Sequence, residues 1–233
     1  MRIALDYATW VAFLQQAAPT LQADFTGIAS AKQWQGYEAA TQCAYTLHFP
    51  PLFPDWEEGQ TLAAFAKALP ETPANTLLIL MQAGNAALGF FEEGQLESHK
   101  VIRKYMVRQK QGKAQLNHLK TKGKSRLGSR IRLAQTKEFF EEINEKIADW
   151  ELDDRVALIY YHASPLLWNG LFEAYNPPFF EKRDTRLRKV SITLQTPHFE
   201  ELMRIHQWTL TGYVEAAANL PEWVEKYDLP LIF

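Results

Sequence analysis

The amino-acid sequence predicts an α/β fold in which an antiparallel three-strand meander is part of a mixed sheet with flanking helices. Three apolar or alternating runs, at 76–81, 86–91 and 96–108, follow one another closely, and turns containing Gly84 and Gly94 separate them. Amphipathic helical patterns then alternate with further apolar strands, which is typical of a mixed sheet. The chain has 233 residues, 47% of them hydrophobic, so it can bury a sizeable core.

The N-terminal part, residues 1–70, is predicted to be a helical and irregular extension packed on that core. Apolar residues with helical spacing predict a helix over 7–18. A strand is expected over 42–49, and a short helix over 62–69 that ends before a proline.

The main predicted domain covers 71–217 and contains a basic loop at 109–132, where no hydrophobic period persists. The run 76–81 is continuously apolar, as expected for a strand buried on both faces. After the loop we expect a helix over 135–150, a strand over 155–161, a helix over 165–175, a strand over 189–194 and a helix over 199–214. Residues 218–233 are interpreted as a C-terminal tail, which either packs on the core or binds a partner.

Charge is strongly segregated along the chain. The 40 residues from Ser98 to Lys137 contain 13 Lys or Arg and no Asp or Glu. The other 193 residues hold 12 basic and 27 acidic side chains, a balance of −15. A positive patch on an acidic body is typical of a protein that binds a polyanion, although a solvated basic face is the alternative. A second basic cluster at 181–189 either contacts RNA or is a solvated loop.

Several classes of protein are disfavoured by the sequence. Asp6 interrupts the N-terminus where a signal peptide needs an apolar stretch, and the longest uncharged stretch, 72–91, contains prolines and glycines. A single cysteine, Cys43, excludes a disulfide framework and indicates a reducing compartment. We therefore expect a soluble cytoplasmic protein with no membrane partner.

Familiar catalytic and cofactor motifs are missing. Gly123-Lys124-Ser125 resembles the end of a P-loop, but His118 occupies the upstream position where that motif needs glycine. The six histidines lack metal-ligand spacing, and there is no Gly-x-Ser-x-Gly sequence. We expect neither a metal nor a cofactor.

Near the start of these acid-free residues, 98–137 (the basic segment), the sequence resembles that of a known family. The pattern Arg-x-Lys-Gln-Gly-x-x-Gln at 108–115, reached through a strand that begins with His99-Lys100, is similar to the Vms-type release-factor-like domain. This is the domain of the ankyrin and zinc-finger peptidyl-tRNA hydrolases and their bacterial relatives. The resemblance covers about 75–214, and no counterpart of the ankyrin repeats, zinc finger or coiled coil is seen, so a compact bacterial form is expected.

The resemblance implies a fold like the catalytic domain of eukaryotic and archaeal release factors, which is RNase H-like. It also implies a function in ribosome-associated quality control. Such domains enter large ribosomal subunits that carry stalled nascent chains and separate the chain from its tRNA, as hydrolases acting on peptidyl-tRNA. The implied partners are the large ribosomal subunit, with its rRNA, and peptidyl-tRNA, and no DNA is expected.

The resemblance also assigns site residues. Gln115 takes the catalytic position, where its non-ionising amide can orient a water or a ribose hydroxyl. Gly112 allows a tight turn. Tyr105 either braces the base of the loop or stacks on a nucleotide. The other predicted RNA-binding residues are cations that suit a polyanionic backbone: Arg108, Lys110, Lys113, Lys120, Lys122, Lys124 and Arg126.

One departure from the release-factor pattern leaves alternatives open. Those factors have Gly-Gly-Gln, whereas this chain has Gly112-Lys113-Ala114-Gln115, and Lys113 resists a left-handed backbone conformation. Ester hydrolysis and cleavage near the tRNA 3′ end both remain possible activities. His118 either shuttles protons or makes an ordinary RNA contact. The alternative to an enzyme is a non-catalytic ribosome- or RNA-binding protein that uses the basic loop for docking.

Overall fold

The structure is a computed structural model that describes residues 1–30, 32–57, 59–104, 124–216, 221–227 and 229, with the backbone alone for 25–30 and 124–135. The chain divides into two compact units. The first contains Met1–Ala74 and Ile205–Phe233, and the second contains Asn75–Arg204. Each unit has one five-stranded sheet. Of the helices described, none combines the length and apolar character needed to cross a bilayer.

The first unit is built around an antiparallel sheet that joins both ends of the chain. Its strands lie in the order β1-β10-β4-β3-β2. They are β1 (Arg2–Leu5), β2 (Phe25–Ser30), β3 (Gln33–Glu38), β4 (Cys43–His48) and β10 (Gly212–Ala216). Its helices are α1 (Tyr7–Ala23), α2 (Leu62–Ala68) and α6 (Glu222–Lys226), and α5 (Phe199–Leu210) spans the division between the units.

Helix α1 supplies much of the first unit's core. Its N-cap Asp6 accepts a hydrogen bond from the backbone N–H of Thr9 at 2.8 Å, an interaction that stabilises a helix by about 1 kcal/mol. Trp10 and Leu14 are fully buried. The ring of Trp10 meets that of Phe49 edge-on at 5.7 Å, which anchors the helix through an aromatic cluster.

Two predictions for these regions are wrong. Residues 1–70 include four strands as well as helices, so they are not a helical and irregular extension. The final helix ends at Leu210, and the residues predicted to continue it form β10, which pairs with both β1 and β4. Gly212 permits this arrangement, because a Cβ there would lie 2.4 Å from the carbonyl oxygen of His48. The predicted domain 71–217 and tail 218–233 thus differ from the division seen here.

The second unit contains the predicted mixed sheet, in the order β7-β6-β5-β8-β9. The strands are β5 (Thr76–Gln82), β6 (Asn85–Glu92), β7 (Gln95–Arg103), β8 (Leu158–His162) and β9 (Leu187–Lys189). Strands β5, β6 and β7 form an antiparallel meander, whereas β8 and β9 run parallel to β5. The fold class predicted from the sequence is confirmed.

The meander turns through residues with positive φ. Gly84 has φ of 81°, and the second turn combines Glu93 at 48° with Gly94 at 81°. In the second turn, positive φ at both central residues matches the right-handed twist of the flanking strands, so the pairing continues to the turn.

Two helices cover one face of this sheet: α3 (Lys124–Asp149) and α4 (Pro165–Phe172). Leu77, Ile79 and Phe90 of the sheet belong to the same buried cluster as Phe139 and Ile143 of α3. Helix α3 lies in the connection from β7 to β8, and α4 lies in the crossover from β8 to β9, as strands that run in the same direction require.

Several element boundaries in this unit differ from prediction. Helix α3 begins at Lys124, so 124–132 of the predicted loop are helical. This part contains Gly128, but one glycine costs a helix only about 1 kcal/mol. The strand predicted over 189–194 is β9, which ends at Lys189. Residues 105–108 of the predicted third strand lie outside the described residues.

Candidate nucleic-acid interface

The predicted RNA-binding segment connects the end of β7 to the start of α3. Lys124 and Arg126 lie in the first turn of α3, where the backbone alone is described. The remaining predicted site residues lie outside the described residues: Tyr105, Arg108, Lys110, Gly112, Lys113, Gln115, Lys120 and Lys122. The structure therefore describes the two ends that support the segment, and the predicted roles of its residues stay predictions.

Alternate residues of β7 face helix α3. Ile102 is 1% exposed and belongs to the cluster that contains Phe139 of α3. Lys100 and Lys104 lie on the same sheet face as Ile102, because successive side chains of a strand point to opposite faces and the three are alternate residues. These two lysines therefore lie at the border of the core rather than on a free basic face.

Acidic residues of α3 pair with both lysines. The Nζ of Lys104 lies 3.0 Å from a carboxylate oxygen of Glu142 and 3.9 Å from one of Glu138. The Nζ of Lys100 lies 3.8 Å from the other oxygen of Glu142. The hydrogen bond and charge of Glu142 raise the pKa of Lys104, with a smaller contribution from Glu138. Two of the basic residues in the acid-free segment thus hold β7 against α3.

The last residues of β7 are fixed from the other side by the meander. Arg103 pairs with Asn85 in the sheet register, and the backbone N–H of Lys104 donates to the carbonyl oxygen of Gly84 at 2.8 Å. Arg103 has the opposite parity to Lys104, is exposed, and has no ion-pair partner among the described residues. The alternation of side chains between the two sheet faces was the sequence signal that could have distinguished Arg103, a cation free to bind, from Lys100 and Lys104, which are paired.

His99 of the family-like pattern lies on the opposite sheet face from Lys100. Its ring lies 4.8 Å from that of Phe199, at the start of α5. His99 is opposite Gly89 in the register, and a Cβ on Gly89 would lie 2.9 Å from a methyl group of Leu202. The His-Lys pair therefore contacts helices on the two faces of the sheet, α5 through His99 and α3 through Lys100.

Helix α3 has opposite charges in its two halves. Its 26 residues span about 39 Å. Residues 124–132 contain four basic and no acidic residues, whereas the acids that pair with β7 come later. Cations near a helix N-terminus add to the positive end of the helix dipole, which attracts anions. The start of α3 combines these two sources of positive potential.

The second basic cluster, 181–189, consists partly of structural arginines. Arg186 makes an ion pair with Asp184 at 2.8 Å and donates to the carbonyl oxygen of Val156 at 3.3 Å. Arg188 donates to the carbonyl oxygens of Thr185 and Leu187. Lys189 is exposed and makes no ion pair with any described residue. Within this cluster, Lys189 is a cation available to a ligand.

The described residues include no group of three or more His, Cys, Asp or Glu side chains that could hold a metal ion. Cys43 lies buried in β4 of the first unit. The chemistry that the described part of the site offers is the binding of anions by cations and backbone amides.

A family model described as "Bacteroidetes VLRF1 release factor" matches residues 76–216, which include the second unit's sheet, α3 and the basic segment. The chain belongs to this family. A solved structure titled "Vms1 mitochondrial localization core" is similar with a TM-score of 0.49 and 15% sequence identity, covering 94% of this chain and 84% of that one. No curated protein matches the chain.

Proposed function

We propose that this protein is a cytoplasmic ribosome quality-control factor that separates stalled nascent chains from tRNA on large ribosomal subunits. Membership of a release-factor family supports the general role. The partners we propose are rRNA and peptidyl-tRNA, since a segment with many cations and no acids suits a polyanion.

The observation that carries this proposal is that both ends of the acid-free segment, residues 98–137, lie in elements that pack in the core of the second unit. Its first residues belong to β7, which the pairs of Lys100 and Lys104 with Glu142 link to α3. Its C-terminal side continues into α3, whose later residues Phe139 and Ile143 are fully buried. Two elements that pack in one core thus flank the segment that contains Gln115, and such support favours precise positioning of a reacting group.

Gln115 is the proposed catalytic residue. Its amide does not ionise near neutral pH, so it acts by orienting water rather than by removing a proton. In ester hydrolysis, this water adds to the carbonyl carbon that joins peptide and tRNA. The bond from that carbon to the ribose oxygen breaks, so that the peptide leaves with a carboxyl group and the tRNA keeps a hydroxyl group.

Cleavage near the tRNA 3′ end is the second reaction we consider, because Lys113 stands where the release-factor pattern has glycine. In this reaction a ribose 2′-hydroxyl attacks the adjacent phosphate, and the 5′ oxygen of the next nucleotide leaves. Arg108 and Lys110 are the cations proposed to stabilise the developing charge.

The presence of Lys113 in place of glycine also favours one non-enzymatic candidate, a docking factor. A loop that cannot adopt the tight glycine turn would still bring its cations to RNA. In that case the protein binds the large subunit through the basic segment and leaves the peptidyl-tRNA intact.

Release assays with the substitution Gln115→Ala test the proposal. Large subunits carrying labelled peptidyl-tRNA are mixed with wild-type protein or the variant, and the tRNA 3′ end is mapped on a denaturing gel. We expect release to slow by about 100-fold or more, because positioning and transition-state contacts are worth that much, while binding to the subunit stays intact. Release with an intact CCA end indicates ester hydrolysis, and a shortened end indicates tRNA cleavage.

The matched control is Gln109→Ala, which removes the same side chain at the unspecified position of the pattern. It should retain wild-type release. Binding of wild-type protein without any release would contradict the enzymatic proposal and favour the docking factor.

A further inference from the structure

The carboxyl ends of four strands lie together at one end of the second unit's sheet. Strands β5, β8 and β9 are parallel and end there at Gln82, His162 and Lys189. Strand β7 runs in the same direction, because it is antiparallel to β6, which is antiparallel to β5. Arg103, the last residue of β7, therefore lies at the same edge. Ligands of open sheets with parallel strands commonly bind outside the carboxyl ends of these strands.

The segment that follows β9 is held across this edge. The backbone N–H of Val190 donates to the carbonyl oxygen of Tyr161 at 2.9 Å. The side-chain amide of Gln82 donates to the carbonyl oxygens of Leu194 and Gln195 at 3.3 and 3.0 Å. The segment is therefore fixed over the ends of β8 and β5, and its conformation exists before any ligand arrives.

A cavity of about 590 Å³ opens along this segment and is lined by His162, Lys189 and the five residues after Lys189. None of these lining residues is acidic. Its possible hydrogen-bond donors are the Lys189 ammonium, the hydroxyls of Ser191 and Thr193, and the backbone amides of Ser191, Ile192 and Thr193. Those three amides have no hydrogen-bond partner among the described residues. Backbone amides without internal partners and a neighbouring cation are groups that can bind an anion.

His162 adds a titratable group to this cavity. Its Nδ1 is buried and has no hydrogen-bond partner in any other described residue. Burial lowers the pKa of His162 and the charge of Lys189 lowers it further, whereas a hydrogen bond with its own backbone and the charge of Glu201 partly oppose the shift. The carboxylate of Glu201 is itself held by Arg204 at 2.7 Å and by the backbone N–H of Gln195 at 2.7 Å. The ring is thus neutral near pH 7, and an entering phosphate would favour its protonated form.

We propose that this cavity binds a phosphodiester group of RNA, next to the basic segment at the same sheet edge. The proposal rests on the proposed function for the choice of RNA over other phosphates. Strands β7 and β8 are three strand spacings apart, about 14 Å, so the cavity is within a few nucleotides of Arg103. A nucleic-acid strand that contacts the basic segment can therefore reach Lys189 and the free amides along one edge.

Histidine NMR tests this site in the full-length protein without requiring turnover. The imidazole signals are followed during titration with cytidine, with inorganic phosphate, and with a short single-stranded RNA that ends in CCA. We expect RNA to shift the His162 signal saturably and to raise its pKa, while cytidine has no effect. His48, which stacks on Tyr213 at 4.1 Å in the first unit, should not shift.

Lys189→Ala provides the second arm and leaves an exposed position that does not threaten folding. We expect it to weaken RNA binding about tenfold and to reduce the salt slope by about 1, whereas Lys182→Ala, outside the cavity, changes neither. An unmoved His162 signal with bound RNA overturns the proposal. A shift with inorganic phosphate alone, and none with RNA, overturns it as well.

The release assay separates this site from the proposed function. If the wild-type protein releases no nascent chain and RNA still shifts His162, the proposed function fails and the phosphodiester site stands. If release depends on Gln115 and RNA leaves His162 unmoved, the site fails and the proposed function stands.

Discussion

Helices α3 and α5 place opposite charges at the positive end of the helix dipole. Helix α5 has Glu200 and Glu201 in its first turn, and acids there are stabilised by the positive end of the helix. Helix α3 begins with Lys124 and Arg126 and has no acid in its first turn. Each misplaced charge costs roughly 0.3–1 kcal/mol. The comparison indicates that the charges at the start of α5 favour stability, whereas those at the start of α3 oppose it, in keeping with the RNA-binding role proposed for Lys124 and Arg126.

The largest expected effect is a loss of stability when a buried side chain in the later part of α3 is truncated. This part of the helix must offset the unfavourable charges at its start. Phe139 is fully buried, so Phe139→Ala should destabilise the protein by about 3–5 kcal/mol through lost burial and a residual cavity. Equilibrium urea unfolding measures this loss. The control Phe199→Ala removes a ring that is 38% exposed and should cost less than about 1 kcal/mol. Similar losses in both variants would contradict the view that the later part of α3 anchors it.

The start of α5 should contribute the next largest effect. The side chain of Glu201 is 1% exposed and accepts hydrogen bonds from Arg204 and from the backbone N–H of Gln195. Glu201→Gln removes the charge from these contacts and should cost about 2 kcal/mol in urea unfolding. The adjacent Glu200 is exposed, so Glu200→Gln is the matched control and should cost little. Equal costs would show that the dipole, rather than burial, dominates at this helix start.

The pH dependence of the Glu201 effect has a defined sign. Hydrogen bonds from Arg204 are the main cause that lowers the pKa of Glu201 below its ordinary 4.5. The associated stability is therefore present above pH 4.5 and is lost as pH falls through the lower folded pKa. Wild-type protein and Glu201→Gln should converge in unfolding free energy below pH 4.5, and a constant difference down to acid pH would contradict this linkage.

Charge reversal at the start of α3 should change stability and binding in opposite directions. The double substitution Lys124→Glu, Arg126→Glu follows the dipole rule and should raise stability by about 1 kcal/mol. It should also weaken binding of single-stranded RNA by about tenfold at moderate salt, because two cations are lost. Urea unfolding and fluorescence anisotropy measure the two quantities.

Lys146→Glu in the last turn of α3 is the mirror control, since an acid at that end is unfavourable. It should lower stability and leave RNA binding unchanged. If the double substitution at the start of α3 does not raise the free energy of unfolding, the comparison between the two helices is wrong.

The smallest effect concerns the lysines at the base of the segment. Lys104 and Glu142 are partly exposed, at 29% and 35%, so their coupling should be about 0.2–1 kcal/mol. A double-mutant cycle with Lys104→Met and Glu142→Gln measures it by urea unfolding. RNA binding should be little changed by Lys104→Met, in contrast to Arg103→Met, which removes an exposed cation without an ion-pair partner among the described residues. A larger loss of binding at Lys104 would reverse this assignment.

Local patterns predicted those elements whose partners are close in sequence. The meander follows from apolar runs separated by two-residue turns, and its register forms between neighbours. The later part of α3 follows from the helical spacing of Phe139, Ile143 and Ile147, all of them buried. Strand β10 could not be found in this way, because its partners β1 and β4 lie far away along the chain.

By itself, the sequence determined the fold class of the second unit, the acid-free segment with Gln115 and the release-factor resemblance, since these depend on local spacing and on residue type. Tertiary structure decided which cations are already paired. Lys104 and Arg103 are neighbours of the same charge, yet only their positions on opposite sheet faces bring one to Glu142 and leave the other exposed. It also decided that His162 and Lys189, 27 residues apart, line one cavity, because parallel strands bring their carboxyl ends to the same edge.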